Sequence, residues 1–171
     1  MARMGKISSA LGAVEIGGTA LWVGASAGFA FVYAPIAFKL VTDRDTFAEI
    51  TGQTLARLAA MTFAAGGAAV GAALLRAIVS PEARKSDVIR ALVGSAALAA
   101  VAYHENAIVP AMSEAQRAMG GSFQAVAEDD PARVAYREKH EVSRRVYGGA
   151  LVLGVAELLL AATRTGKQPA S

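Results

Sequence analysis

Four long apolar stretches limit what this 171-residue chain can fold into. They cover residues 16–38, 58–79, 88–109 and 146–163. Each is close to the ~20 residues that an α-helix needs to cross a bilayer. In lipid the backbone must satisfy its own hydrogen bonds, and a helix does so within one segment. The residue balance agrees. Hydrophobic residues make up 54% of the chain and charged residues 18%, against roughly 45–50% and about 25% in an average soluble domain. Aromatics are only 6%, and the apolar runs consist mostly of Ala, Val, Leu and Gly. Small side chains on long apolar helices suit close packing in lipid. The expected fold is all-α: an integral membrane, four-helix antiparallel bundle forming a single domain over residues 1–171.

The N-terminus, Met1-Ala2-Arg3-Met4-Gly5-Lys6, is short and basic. Ala25-Ser26-Ala27 has the shape of a signal cleavage site. Glu15, Gly17 and Gly18 interrupt the apolar region that a signal needs, so a retained first span is preferred. Ala20, Gly24 and Gly28 make a small-residue row on that span, and Trp22 is expected near an interface. Pro35 should kink or end the helix. Thr46 and Glu49 have capping-box spacing, which starts the second helix near Phe47. On the second span Ala60, Ala64, Ala68 and Ala72 form one small row, and Gly67 with Gly71 another. Arg76 is close enough to the end to snorkel. Ser80-Pro81 stops one helix and restarts the next. Pro110 removes the hydrogen bond to the Asn106 carbonyl, with helix resuming over residues 112–119. Gly120-Gly121 is a stop. Glu128-Asp129-Asp130-Pro131 supplies a cap and a first-turn proline, so the fourth helix begins outside the membrane near residue 131. The tail over residues 164–171 reads as disordered.

Four spans put both termini on one side of an inner or plasma membrane. Eight of the seventeen Lys and Arg fall on that side and nine on the other. Their density in the short loop and tails favours a cytoplasmic location for the termini. Cysteine is absent, which removes disulfides, thiolate metal sites and a cysteine nucleophile. A formal charge of +3 without a basic, aromatic-interleaved stripe argues against nucleic acid as a partner.

Polar residues gather in two places. His104-Glu105 ends the third span, and His140-Glu141 precedes the fourth. Both pairs belong at the interface away from the termini. Neutral imidazoles with carboxylates suit zinc, copper(II), nickel or iron, so these four residues form a candidate metal site. An interfacial hydrogen-bond network is the competing reading. Tyr136, His140, Ser143 and Tyr147 share one helical face. Glu157 lies inside the last span, where an ionisable group marks function, and Glu15 enters from the same side to share a proton or cation with it. Pro35, Asn106, Pro110 and Ser143 mark helix breaks and interfaces. Serine catalysis is not expected, because no oriented acid and no nucleophile-elbow glycines accompany Ser143. A haem or other redox cofactor would want deeper histidines, and no particular cofactor is indicated. These residues point to a non-enzymatic membrane protein that binds or moves a small cargo such as a metal ion. The alternative is a structural or assembly partner of another membrane protein, or a homo-oligomer, packed through the small-residue faces.

With Ala34-Pro35-x-x-Phe38, Asn106-x-x-x-Pro110 and His140-x-x-Ser143 in place, the chain resembles a family of small four-span membrane proteins. This is domain of unknown function 4149, related to human transmembrane protein 205. The resemblance runs through nearly the whole chain. Glu141 stands where the family commonly has glycine, and Arg144 and Arg145 replace more apolar residues. The human relative is associated with platinum-drug resistance. The resemblance therefore implies transport or sequestration of a metal-containing or xenobiotic cargo.

Overall fold

The computed structural model describes residues 2–80 and 84–165, and all regular structure among them is helical. Helix α1 (Ala2–Gly28) passes through a π-helical turn (Phe29–Tyr33) into α2 (Ala34–Leu40). Next come α3 (Arg44–Val79) and α4 (Arg84–Tyr103), then a second π-helical turn (His104–Ile108). Helices α5 (Val109–Ala118) and α6 (Pro131–Thr165) complete the chain. Among the described residues, four helical rods are long and apolar enough to cross a membrane: Met4–Leu40, Arg44–Val79, Arg84–Ala118 and Pro131–Thr163.

Neither proline ends its helix. A proline lacks the N–H that would close the next turn, and its ring crowds the carbonyl four residues back. Here the chain widens by one residue just before each ring. The Ala34 N–H donates to the Phe29 carbonyl and the Val109 N–H to the His104 carbonyl, both five residues back. Pro35 and Pro110 then sit in the first turn of the resumed helix, where no N–H is needed. The first rod therefore runs to Leu40, beyond the Phe38 end expected for the span.

Helix α3 begins earlier than the Thr46–Glu49 spacing suggested. Asp43 is its cap and accepts from the Thr46 N–H at 3.0 Å. The stop at Gly120-Gly121 is as expected. Both residues take positive φ, 72° and 85°, which glycine adopts without steric strain. Asp130 caps α6 by accepting from the Ala132 N–H at 2.8 Å. The helix restart expected at Pro81 lies outside the described residues, as does the tail from residue 166.

Helix α1 packs on α3 and α6, and α4 packs on the same two. Rising numbers in α1 meet falling numbers in α3: Ser8 bonds Ser80, Glu15 bonds Arg76, and Gly18 lies against Ala65. Likewise Gly94 of α4 faces Glu157 of α6, while His104 faces Ser143. Trp22 is in the core, buried with Val23 and Ala97. Its indole occupies the space a side chain at Gly154 would need.

The buried face of α3 is Ala59, Thr62, Gly66, Ala69, Ala72, Ala73, Arg76 and Ala77. Of the rows expected from the small residues it takes in Ala72 alone. Ala60, Ala64 and Ala68 are exposed, and nothing lies within 4 Å of where a Cβ on Gly67 or Gly71 would be. The Ala20, Gly24 and Gly28 row of α1 is exposed too. Large side chains such as Phe31, Leu40, Ile78, Leu92 and Val152 point outward, while Glu15, Asp87, Arg90, His104 and Glu157 are buried.

Candidate functional site

The second π turn positions His104. The extra residue in that turn leaves carbonyls short of partners, and Asn106 Nδ2 donates to the Ala102 carbonyl at 2.8 Å. His104 is 2% exposed and bonded at both nitrogens. Nδ1 is 2.7 Å from Glu105 Oε1, and Nε2 is 2.8 Å from Ser143 Oγ on α6. A carboxylate can only accept, so Nδ1 carries the proton. Nε2 then accepts from the Ser143 hydroxyl. The Tyr147 ring meets the imidazole edge-on at 5.5 Å.

This pair of contacts forms one wall of a cavity of about 430 Å³, within the ~300–1,000 Å³ usual for small-molecule sites. Apolar lining comes from Phe47, Leu55, Val109, Met112 and Phe123, and polar lining from Thr51, Arg133 and His140 among others. The segment after α5 closes over it. Asp45 accepts from the Ser122 hydroxyl at 2.6 Å and from the Phe123 N–H at 2.8 Å, while Asp43 accepts from Gln124 Nε2 at 2.8 Å. Phe123 is thereby held edge-on to Tyr136 at 4.7 Å, and Tyr136 stacks on His140. Asp43 lies outside the apolar runs. The Thr46 hydroxyl and then the Thr46 N–H, both donating to its carboxylate, hold its pKa below the ordinary 3.8.

Of the four residues expected at a metal site, His104, Glu105 and His140 line this one cavity. Glu141 turns to Arg144 and Arg145 at 3.3 and 3.1 Å. Among the described residues no three His, Asp or Glu side chains are grouped to hold a metal ion. Ser143 stood out in the sequence, but its bond to His104, 39 residues away, did not. The Asp45 clamp was not visible either, since an acid beside a helix start reads as a cap.

The opposite end holds a buried charge cluster. Glu15 Oε2 is 2.7 Å from Arg76 Nη1, and Glu15 Oε1 is 2.6 Å from Arg90 Nε. Asp87 pairs with Arg90, and with Arg76 at 3.2 Å. Arg76 is therefore held inside rather than snorkelling, and Glu15 pairs with both arginines. Two cations balance two carboxylates, so Glu157 is a fifth ionisable group in a balanced set. It is 1% exposed, and its Oε1 has no hydrogen-bond partner among the described residues.

Among the described residues the fold is thus all-helical, with four rods of membrane-crossing length and a largely apolar cavity near one end. The chain belongs to the family described as domain of unknown function DUF4149, whose model matches residues 18–120. The match takes in His104, Glu105 and Pro110 and stops before α6. No curated protein and no solved structure matches the chain.

Proposed function

We propose that this is a polytopic integral membrane protein whose four rods form an antiparallel bundle, with both termini on one side. We further propose that it binds, and helps to move, a small cargo in the cavity beside His104. Spans near residues 16–38, 58–79, 88–109 and 146–163 leave the first turns of α3 and α6 outside the bilayer, so the cavity they share with the end of the third span at His104–Val109 lies at that interface. Support for insertion comes from large apolar side chains facing outward around buried charges, the reverse of a soluble surface. Kinship with human transmembrane protein 205 belongs to the same reading and rests on the Pro35, Pro110 and Ser143 motifs.

The observation that carries the cargo reading is the cavity itself, apolar over most of its wall with a few convergent polar groups. A metal cargo would meet His104, Glu105 and His140 there. Both nitrogens of His104 are already engaged, so an organic cargo enters with fewer bonds broken. A diazirine-bearing hexanoate ester tests this in purified protein held in nanodiscs. Competable crosslinks at Met112, Phe123 or Tyr136 are expected. Crosslinks scattered over outward residues such as Phe31 and Leu92 overturn the cavity reading, and competition by zinc or copper restores the metal one.

A second reading is favoured by one observation. Ala20, Gly24 and Gly28 face outward on α1, and the two glycines have nothing within 4 Å of a notional Cβ. Such a face suits another helix, from a second copy or a partner. Replacing Gly24 with Leu should change the oligomeric or co-purifying state if this reading holds, and leave it untouched otherwise.

A further inference from the structure

We propose that Ser143, His104 and Glu105 form a nucleophilic relay that hydrolyses a small, largely apolar carboxylic ester held in the cavity. The inference rests on the cavity binding small molecules and adds turnover to it. Along the chain no acid is oriented for Ser143, and its nearest histidine is His140. The fold supplies a different histidine. His104 reaches Ser143 at 2.8 Å through Nε2 and is held by Glu105 at 2.7 Å through Nδ1. Nucleophile, base and orienting acid are thus in series at hydrogen-bond distances, the arrangement that activates a serine. The order of donors also fits. The carboxylate fixes the proton on Nδ1, which leaves Nε2 free to take the one on Oγ.

Three further features favour chemistry over a structural contact. The histidine lies in a π turn, and such turns occur often at functional sites. All three residues line the cavity, so an ester carbonyl can reach Oγ. Thr51 Oγ1 lies in the same cavity wall, buried and without a hydrogen-bond partner among the described residues. It is an unspent donor of the kind a developing oxyanion needs. Ser143 is inside α6, where its backbone N–H is committed to the helix, so the donors must be side chains.

The steps balance with water as the only co-reactant. Ser143 Oγ bonds to the ester carbon while its proton passes to His104 Nε2. The carbon–alkoxy oxygen bond breaks, and Nε2 returns the proton to the leaving alcohol. Water then adds to the acyl-serine, giving a proton to Nε2. The Oγ–carbon bond breaks, the acid leaves, and Oγ recovers the proton. Glu105 is a positioning residue, because it acts through His104.

A fluorophosphonate probe on the full chain in mild detergent tests this. Oγ would displace fluoride and form a phosphonyl-serine at residue 143, read by peptide mass spectrometry. Ser143→Ala should abolish the adduct. Glu105→Gln, at a partly exposed side chain that is safe for folding, should slow maximal labelling about 100-fold or more. It should leave the half-saturating probe concentration unchanged, which a merely structural role would not do. Thr51→Val should also slow labelling. An adduct elsewhere, or equal labelling of wild type and Glu105→Gln, overturns the relay. No adduct in a protein that still gives cavity crosslinks with the diazirine ester overturns the relay alone. No adduct and no crosslinks overturn both readings.

Discussion

At the scale of single residues, the greatest sensitivity lies in side chains that are charged and enclosed. Arg90 meets Glu15 and Asp87 with 1% of its side chain exposed. Removing one partner of such a set strands a charge, a loss of about 3–5 kcal/mol. Arg90→Met should therefore lower unfolding stability in mild detergent by about that much. A change within denaturation error would show that the cluster is hydrated and weak. Steric limits are equally local. A side chain at Gly154 meets the Trp22 indole, whereas one at Gly24 meets nothing. Gly154→Leu should destabilise the monomer by about 1–3 kcal/mol by overpacking. Gly24→Ala should stay within about 0.5 kcal/mol, both read by thermal unfolding in the same detergent.

At the scale of elements, the start of α3 is both a cap and a clamp. Asp43 has its pKa depressed in the folded protein. Its contribution is therefore fully present above the unfolded value near 3.8 and is lost as pH falls through the lower folded value. Hydrogen exchange at residues 44–48 should accelerate below about pH 4 in the wild type. In Asp43→Asn that acid-dependent step should vanish while capping persists at neutral pH, since Asn also caps. The elements themselves were legible: long apolar runs, Gly120-Gly121 and Asp130-Pro131 locate helices with little help from tertiary contacts. Their faces were not. Alanine and glycine lie all round α3, so spacing alone could not distinguish the buried Ala59, Thr62 and Gly66 line from the exposed Ala60 and Ala64 one. Charged residues inside apolar runs were visible as anomalies, but not their partners. Glu15 and Arg90 are 75 positions apart, and only the fold brings them together.

At the scale of the whole molecule, the absence of cysteine makes topology directly measurable. Single cysteines at Gly5, Lys85 and Ala125, all exposed, can be tested in sealed vesicles with a membrane-impermeant maleimide. Gly5→Cys and Lys85→Cys should react from one side and Ala125→Cys from the other. All three reacting from one side would exclude the four-span bundle. The site was only partly legible at this scale. His104, Glu105, His140 and Ser143 stood out as polar residues beside apolar runs. That Ser143 bonds His104 while Glu141 turns away follows from the rotation of α6 against α4, which no local pattern encodes.

The turn before Pro110 has a consequence for which changes the protein tolerates. A residue inserted in or deleted from a helix rotates everything beyond it by about 100°. The π turn carries one such surplus residue, and the rotational phase of α5 depends on it. Met112 and Gln116 face the cavity because of that count, whatever the chemistry of the residue supplying it. Ala107 is exposed, so Ala107→Ser should be silent. Deleting Ala107 should swing α5 off the cavity and pull Ser122 from Asp45, abolishing diazirine crosslinks at Met112. At Ala107 the presence of a residue therefore matters more than which residue it is.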